Sequence, residues 1–208
     1  MRRGRLHEGS REQRPLSGRL PPSRRFLVLL RFGPDVPTYR LRPATLADLE
    51  LLVRHRRGMW EEIASFTPPE LEAADRAYRR WARPRIRSGS LVGFVIETAA
   101  GEPAASSCLW MMPTQPRPGR ASTKAPYLMS MFTERRHRGK GLATRLIREA
   151  RRWARAHGCG IILLHASRFG EPIYRREGFA RTTEMRLRLD APAPRAQRRG
   201  RGRARRGR

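Results

Sequence analysis

The hydrophobic pattern of this chain predicts an α/β (α+β) domain in which helices flank a mixed sheet, and three observations carry that reading. Apolar residues recur every three to four positions between Thr45 and Gly89, every second position between Leu91 and Met112, and every three to four again from Leu142. Ala100, Gly101 and Glu102 interrupt the alternating stretch as a turn would, so its two arms form a hairpin. The resulting order, β α α β β β α β α β, places helices on both sides of a sheet.

The elements follow in chain order. Tyr39 to Leu41 alternates as a short strand. Thr45 then offers an N-cap with Asp48 three positions on, and Leu46, Leu49, Val53, Met59 and Trp60 supply the apolar stripe of a first helix. A second helix begins at Pro68 and Pro69, with Glu70 and Glu72 toward the positive end of its dipole and Leu71, Ala74, Tyr78, Trp81 and Ala82 on one face. The hairpin arms are Leu91 to Glu97 and Ala104 to Met112. Proline and glycine make the segment from Pro113 to Ser122 a loop, after which Ala125 to Thr133 is a third apolar run. Ala143, Leu146, Ile147, Ala150 and Ala154 mark a helix that Gly158 stops. Gly160 to Ala166 reads as a strand covered on both faces, Glu171 to Arg176 as a short helix, and Thr182 to Leu189 as a last strand.

Charge divides the chain into three parts. The 208 residues carry a formal net charge of +28, which suggests a nucleic-acid partner until its distribution is considered. Residues 191–208 hold eight arginines and no acid, and residues 1–38 hold nine arginines against Glu8, Glu12 and Asp35, so the ends supply half of the surplus. Both ends are rich in Arg, Gly and Pro and too poor in apolar residues to offset the entropy of ordering. Residues 1–38 and 191–208 are therefore expected to be disordered extensions of one domain spanning residues 39–190. Cys108 and Cys159 fit no metal or redox spacing and read as two buried, inert thiols. The apolar run Phe26 to Leu30 is too short for a signal segment, and no stretch reaches membrane-spanning length, which predicts a cytoplasmic protein.

The chemistry concentrates in Thr133 to Ala150, where a strand, a glycine-rich turn and a helix start succeed one another. Gly139 and Gly141 permit backbone conformations closed to other residues, and several helix-start N–H groups then converge on one spot that suits a pyrophosphate. Arg138 and Lys140 add charge. A nucleoside-triphosphatase loop would need Ser or Thr after Lys140, where Gly141 stands. A dinucleotide fingerprint would need Gly or Ala at Thr144.

Arg138-Gly139-Lys140-Gly141-Leu142-Ala143 instead fits Arg/Gln-x-x-Gly-x-Gly/Ala, and there the sequence resembles the GCN5-related N-acetyltransferase (GNAT) superfamily. The likeness extends to the segment from Tyr39 to Trp60 and to the downstream Pro172-Ile173-Tyr174-Arg175-Arg176-Glu177-Gly178-Phe179, so it covers about residues 39 to 190. It implies the acyl-CoA N-acyltransferase fold, a mixed, mostly antiparallel central sheet with splayed strands flanked by helices, and acetyl-CoA as co-substrate without a metal. Carried over, the main chain of Met131, Phe132 and Thr133 receives the pantetheine arm. The amides of Arg138, Gly139, Lys140, Gly141, Leu142 and Ala143 hold the pyrophosphate, and Thr144 adds a hydroxyl. Ser167 stands where many members carry an asparagine that bonds the same arm.

The implied reaction is direct attack of an amine on the thioester. Tyr174 occupies the place of the tyrosine that protonates the departing thiolate, and an ordinary phenol stays protonated at neutral pH. A backbone N–H of Met131 or Phe132 would meet the oxyanion. Glu97 is the named candidate base, with Glu61, Glu62, Glu134 and His165 as alternatives. A small-molecule amine is the expected acceptor ahead of protein amines, recognised near Arg57 to Glu70 and Thr114 to Ala121. The expected assembly is a monomer or homodimer. The competing reading is a nucleic-acid- or ribosome-associated protein on an inactive acetyltransferase scaffold, contacting phosphates through its Arg-rich tail.

Overall fold

The hairpin predicted around Gly101 forms the centre of the sheet. In the computed structural model, which describes residues 38–116, 118–119 and 122–187, β2 (Leu91–Thr98) and β3 (Pro103–Pro113) pair antiparallel across that turn. Gly101 takes a φ of 83°, the left-handed backbone that the tight connection requires. β1 (Tyr39–Pro43) pairs with β2 and β4 (Lys124–Thr133) with β3, so four antiparallel strands lie in chain order, β1-β2-β3-β4. One parallel bridge, between Tyr127 of β4 and Leu163, makes the arrangement mixed.

Helices cover both faces, which explains why the central strands are almost continuously apolar. On one face, Leu49, Leu52 and Val53 of α1 (Leu49–Ile63) and Tyr78 and Ala82 of α2 (Pro68–Arg87) pack on Leu91 and Cys108. On the other, Leu142, Leu146, Ile147 and Ala150 of α3 (Leu142–Ala156) pack on Phe94, Ile96, Leu109 and Leu128. The short α4 (Glu171–Arg176) adds Ile173 and Tyr174 to that second core. Period-2 alternation in the strands thus sorts odd and even residues onto the two helical layers. Among the described residues no helix is long and apolar enough to cross a membrane.

The last two expected strands are not built as such. Of residues 160–166 only Leu163 bridges, its N–H donating to Pro126 O at 2.9 Å and its carbonyl accepting from Leu128 N at 2.8 Å. Residues 182–187 form no ladder, and Met185 and Leu187 are 94% and 82% exposed. Their alternation satisfies the strand pattern, yet a strand needs a neighbouring edge, and residues 160–166 present none. Cys108 is buried as expected, whereas Cys159 is only partly covered. The predicted basic extensions, and with them the proposed nucleic-acid contact, lie outside the described residues apart from Thr38.

Close backbone approach ties the lead-in of α1 to the sheet at Gly93. The Ala44 N–H donates to Gly93 O at 2.8 Å, and a Cβ on Gly93 would stand 2.6 Å from the Ala44 methyl. Gly93→Ala is therefore expected to destabilise the fold by about 1–3 kcal/mol through overpacking. Denaturant titration should show a lower midpoint with an unchanged slope.

Candidate active site

The site begins with a fault in β4. Ser106 pairs with Phe132 but Cys108 pairs with Met129, so Ser130 and Met131 together face the single residue Ser107. Ser130 takes a φ of 51°, the one described residue other than glycine in the left-handed region. Such a bulge bends its strand and re-aims the residues beyond it. Past Leu128, the outer edge of β4 therefore parts from the 160s segment and has no partner strand among the described residues. An amide-bearing ligand can satisfy such an edge as an added strand would.

The loop after β4 supplies the second half. A 3-10 turn at Arg135–His137 leads to Gly139 and Gly141, with φ of 72° and 73°. Gly141 caps α3 without any side-chain hydrogen bond, and α3 has no acid in its first turn. By contrast, the Thr67 N–H before α2 donates to Glu70 at 2.7 Å, and the Thr45 N–H before α1 donates to Asp48 at 2.7 Å. Among the described residues the amides of Gly139, Lys140 and Gly141 donate to no carbonyl of the chain. Donors left open at the positive end of a 15-residue helix form a cradle for an anion.

Cradle and open edge share one cleft of about 860 Å³. It brings together Met131, Phe132, Thr133, Arg138, Gly139, Gly141, Leu142, Ala143, Thr144, Ser167 and Tyr174. Lys140 is not among its lining residues; its ammonium lies 5.9 Å from the Tyr39 ring centre, outside the cradle. The Arg138 side chain is committed too, donating to Thr133 O at 2.9 Å and to Glu62 at 2.6 Å. The loop thus meets an anion with its backbone more than with its cationic side chains. Ser167 Oγ accepts the Gly170 N–H at 3.2 Å and keeps its own O–H to donate.

Tyr174 reaches the cleft from α4, and its hydroxyl donates to Met131 Sδ at 3.7 Å. Burial, helped by neighbouring Tyr127, pushes this phenol up to about 12. It is therefore protonated throughout the neutral range. Glu97, by contrast, is excluded from the cleft. It sits on β2 with its carboxylate held by Arg40 and, at 2.7 Å, by Arg42 Nε. Burial would raise its pKa, and the two guanidiniums more than offset that and leave it below the usual carboxylate range. A carboxylate so clamped, on a strand away from the cleft, is a structural ion pair and not the base.

The other acids are placed differently. Glu61 and Glu62 line the cleft from the end of α1, Glu62 paired with Arg138 and Arg135. Glu134 lies 3.2 Å from Nε2 of His55, whose Nδ1 pairs with Ser106 Oγ at 2.9 Å beneath the Phe132 ring. Burial holds His55 well below the ordinary imidazole range, against the pull of Glu134. Sequence reasoning had no signal for Ser130 or for His137, a buried cleft residue whose Nδ1 lies 3.0 Å from the Tyr39 hydroxyl. Both depend on contacts between residues distant in sequence.

The profile of the acetyltransferase (GNAT) family matches residues 54–181. The chain belongs to the GNAT family. A GCN5-related N-acetyltransferase from Ralstonia eutropha JMP134 is 31% identical, with 74% of this chain and 99% of that one covered at a TM-score of 0.68. A predicted acetyltransferase from Clostridium acetobutylicum, solved with acetyl-CoA, is 24% identical over 73% of this chain and 96% of its own, at a TM-score of 0.67. Glucosamine-6-phosphate N-acetyltransferase from Arabidopsis thaliana shares the fold at 21% identity, 74% and 99% coverage and a TM-score of 0.52. No curated protein sequence matches.

The GNAT fold accounts for the residues found in the cleft. The open amides around Gly139 suit a diphosphate, the free edge of β4 suits an amide-bearing arm, and among the described residues no cluster of His, Cys, Asp and Glu could hold a metal. Gly141→Glu would force a side chain into left-handed backbone, at about 1–3 kcal/mol of strain, and aim a carboxylate at the cradle. Acetyl-CoA affinity is expected to fall by at least about 100-fold, combining that strain with charge repulsion. Calorimetry on the folded variant checks it; unchanged affinity would remove the loop from the cofactor site.

Proposed function

We propose that this GNAT protein transfers an acetyl group from acetyl-CoA to a primary amine by direct attack, and that the amine belongs to a small molecule. The single observation that carries the reading is the position of Tyr174: a half-buried, protonated phenol in the same cleft as the open β4 edge and the uncapped start of α3. In this reading the main chain of Met131, Phe132 and Thr133 binds the pantetheine arm, with Ser167 O–H as a further donor. The amides from Gly139 to Ala143, with Thr144, bind the diphosphate, whereas the Arg138 N–H, expected among them, donates to Arg135 O at 3.3 Å. An N–H of Met131 or Phe132, turned by the bulge, faces the carbonyl oxygen of the thioester.

Proton transfer from Tyr174 to the departing sulfur is matched by environment. The group needed is one that keeps its proton at neutral pH until the sulfur departs, and burial holds the Tyr174 phenol in that state.

The rim supports a cationic acceptor. Glu61, unlike Glu62, pairs with no cation among the described residues. Unpaired cysteines and a coenzyme A donor support a cytoplasmic setting.

Screening an amine library for acetyl-CoA-dependent thiol release tests the reading; protein amines acetylated in preference to every small amine would overturn the acceptor class. With an acceptor in hand, Tyr174→Phe is expected to lower kcat by about 100-fold while leaving acetyl-CoA affinity unchanged. Full activity in that variant removes Tyr174 from the chemistry.

A further inference from the structure

At the head of the cleft, where the Tyr127–Leu163 bridge ends, three side chains from separate segments meet. The Tyr127 hydroxyl pairs with His165 Nδ1, and His165 Nε2 lies 2.6 Å from both carboxylate oxygens of Glu184. His165 lines the cleft while its side chain stays about half exposed, at 49%. Acyl transfer as described above leaves this group without a role, and with Glu97 clamped outside the cleft the candidate bases that line it are Glu61, Glu62 and His165.

We propose that His165 accepts the proton that the acceptor ammonium gives up before attack, through the Tyr127 hydroxyl and with Glu184 as the positioning carboxylate. This rests on the acetyl-transfer reading. A carboxylate only accepts hydrogen bonds, so the Nε2 facing Glu184 carries the imidazole hydrogen, and Nδ1 is left as the basic lone pair toward Tyr127. One N–H bond of the ammonium breaks as its proton forms a new O–H on Tyr127, whose own proton passes to Nδ1. Tyr127 ends neutral, His165 becomes an imidazolium against Glu184, and the electron pair freed on nitrogen attacks the carbonyl carbon. The half-exposed imidazolium then returns its proton to water. A second proton leaves nitrogen as the carbon–sulfur bond breaks, and it restores the phenol of Tyr174 after that group has protonated the sulfur. One ammonium and one thioester thus give one amide, one thiol and one proton.

The surrounding groups fit this direction of transfer. Tyr127 faces the imidazole from β4, Glu184 from the segment after α4, with Arg186 3.6 Å from that carboxylate, while Tyr174 and Arg176 of α4 line the same cleft. Imidazole takes up a proton as a base and hands it on as an acid, which a carboxylate in an arginine clamp does not.

The test is the pH dependence of kcat/KM with an amine identified by thiol release. The wild type is expected to gain activity with rising pH as the imidazolium is emptied. His165→Gln should lower kcat by about 100-fold and abolish that acid limb, with calorimetric acetyl-CoA affinity unchanged. Glu184→Gln should keep most of the rate above neutrality and move the limb to lower pH, because the imidazolium loses its counter-charge. A His165→Gln rate that is unchanged, or reduced by the same factor at every pH, overturns the relay and leaves acetyl transfer standing. A wild type that binds acetyl-CoA yet acetylates no amine overturns acetyl transfer, and the relay with it.

Discussion

The left-handed backbone at Ser130 is the constraint on which the site depends. A residue with a side chain adopts that conformation at about 1–2 kcal/mol, so something must hold it there. The ladder does: β4 is paired with β3 on both sides of the bulge, at Met129 and at Phe132, and the core beneath is closed by Leu128. The extra residue turns β4 away from the 160s segment. Backbone groups that would complete a sheet are thereby left for a ligand.

Capping shows the same division between structure and function. Asp48 satisfies the Thr45 amide at the 3-10 turn that leads into α1, and Glu70 satisfies the Thr67 amide at the start of α2. α3 starts from a glycine with no such help, directly after the turn that carries the family motif. Charges follow suit. Arg138 is tied to Glu62 and Lys140 lies against Tyr39, so the density of basic residues in the motif overstates the free charge at the cradle. What remains is a directional set of N–H donors, an arrangement suited to an anion.

Protonation states in the cleft are set by what each group was buried with. Tyr174 has a thioether and another phenol for neighbours, and retains its proton. Glu97 has two guanidiniums, and loses its proton too readily to serve as a base. His55 is sealed beneath Phe132 between Ser106 and Glu134, where it props the strand that carries the bulge. His165 alone among the imidazoles near β4 combines a carboxylate partner with contact to both cleft and solvent.

Local pattern was sufficient for much of this molecule. Periodicity located β1 to β4 and α1 to α4 because each needs only a repeating apolar face and a turn or cap, and the Arg138–Ala143 spacing marked the anion cradle because glycine's backbone freedom is a property of the residue itself. The same information could not tell that residues 182–187 would lack a partner edge, since a strand is completed by atoms far away in sequence. Nor could it separate Glu97 from a catalytic base: a carboxylate's chemistry is decided by which cations the fold brings beside it, here Arg40 and Arg42 from β1. The bulge at Ser130 and the Tyr127, His165 and Glu184 contact are of that kind as well, because both arise only where three segments are packed against one another.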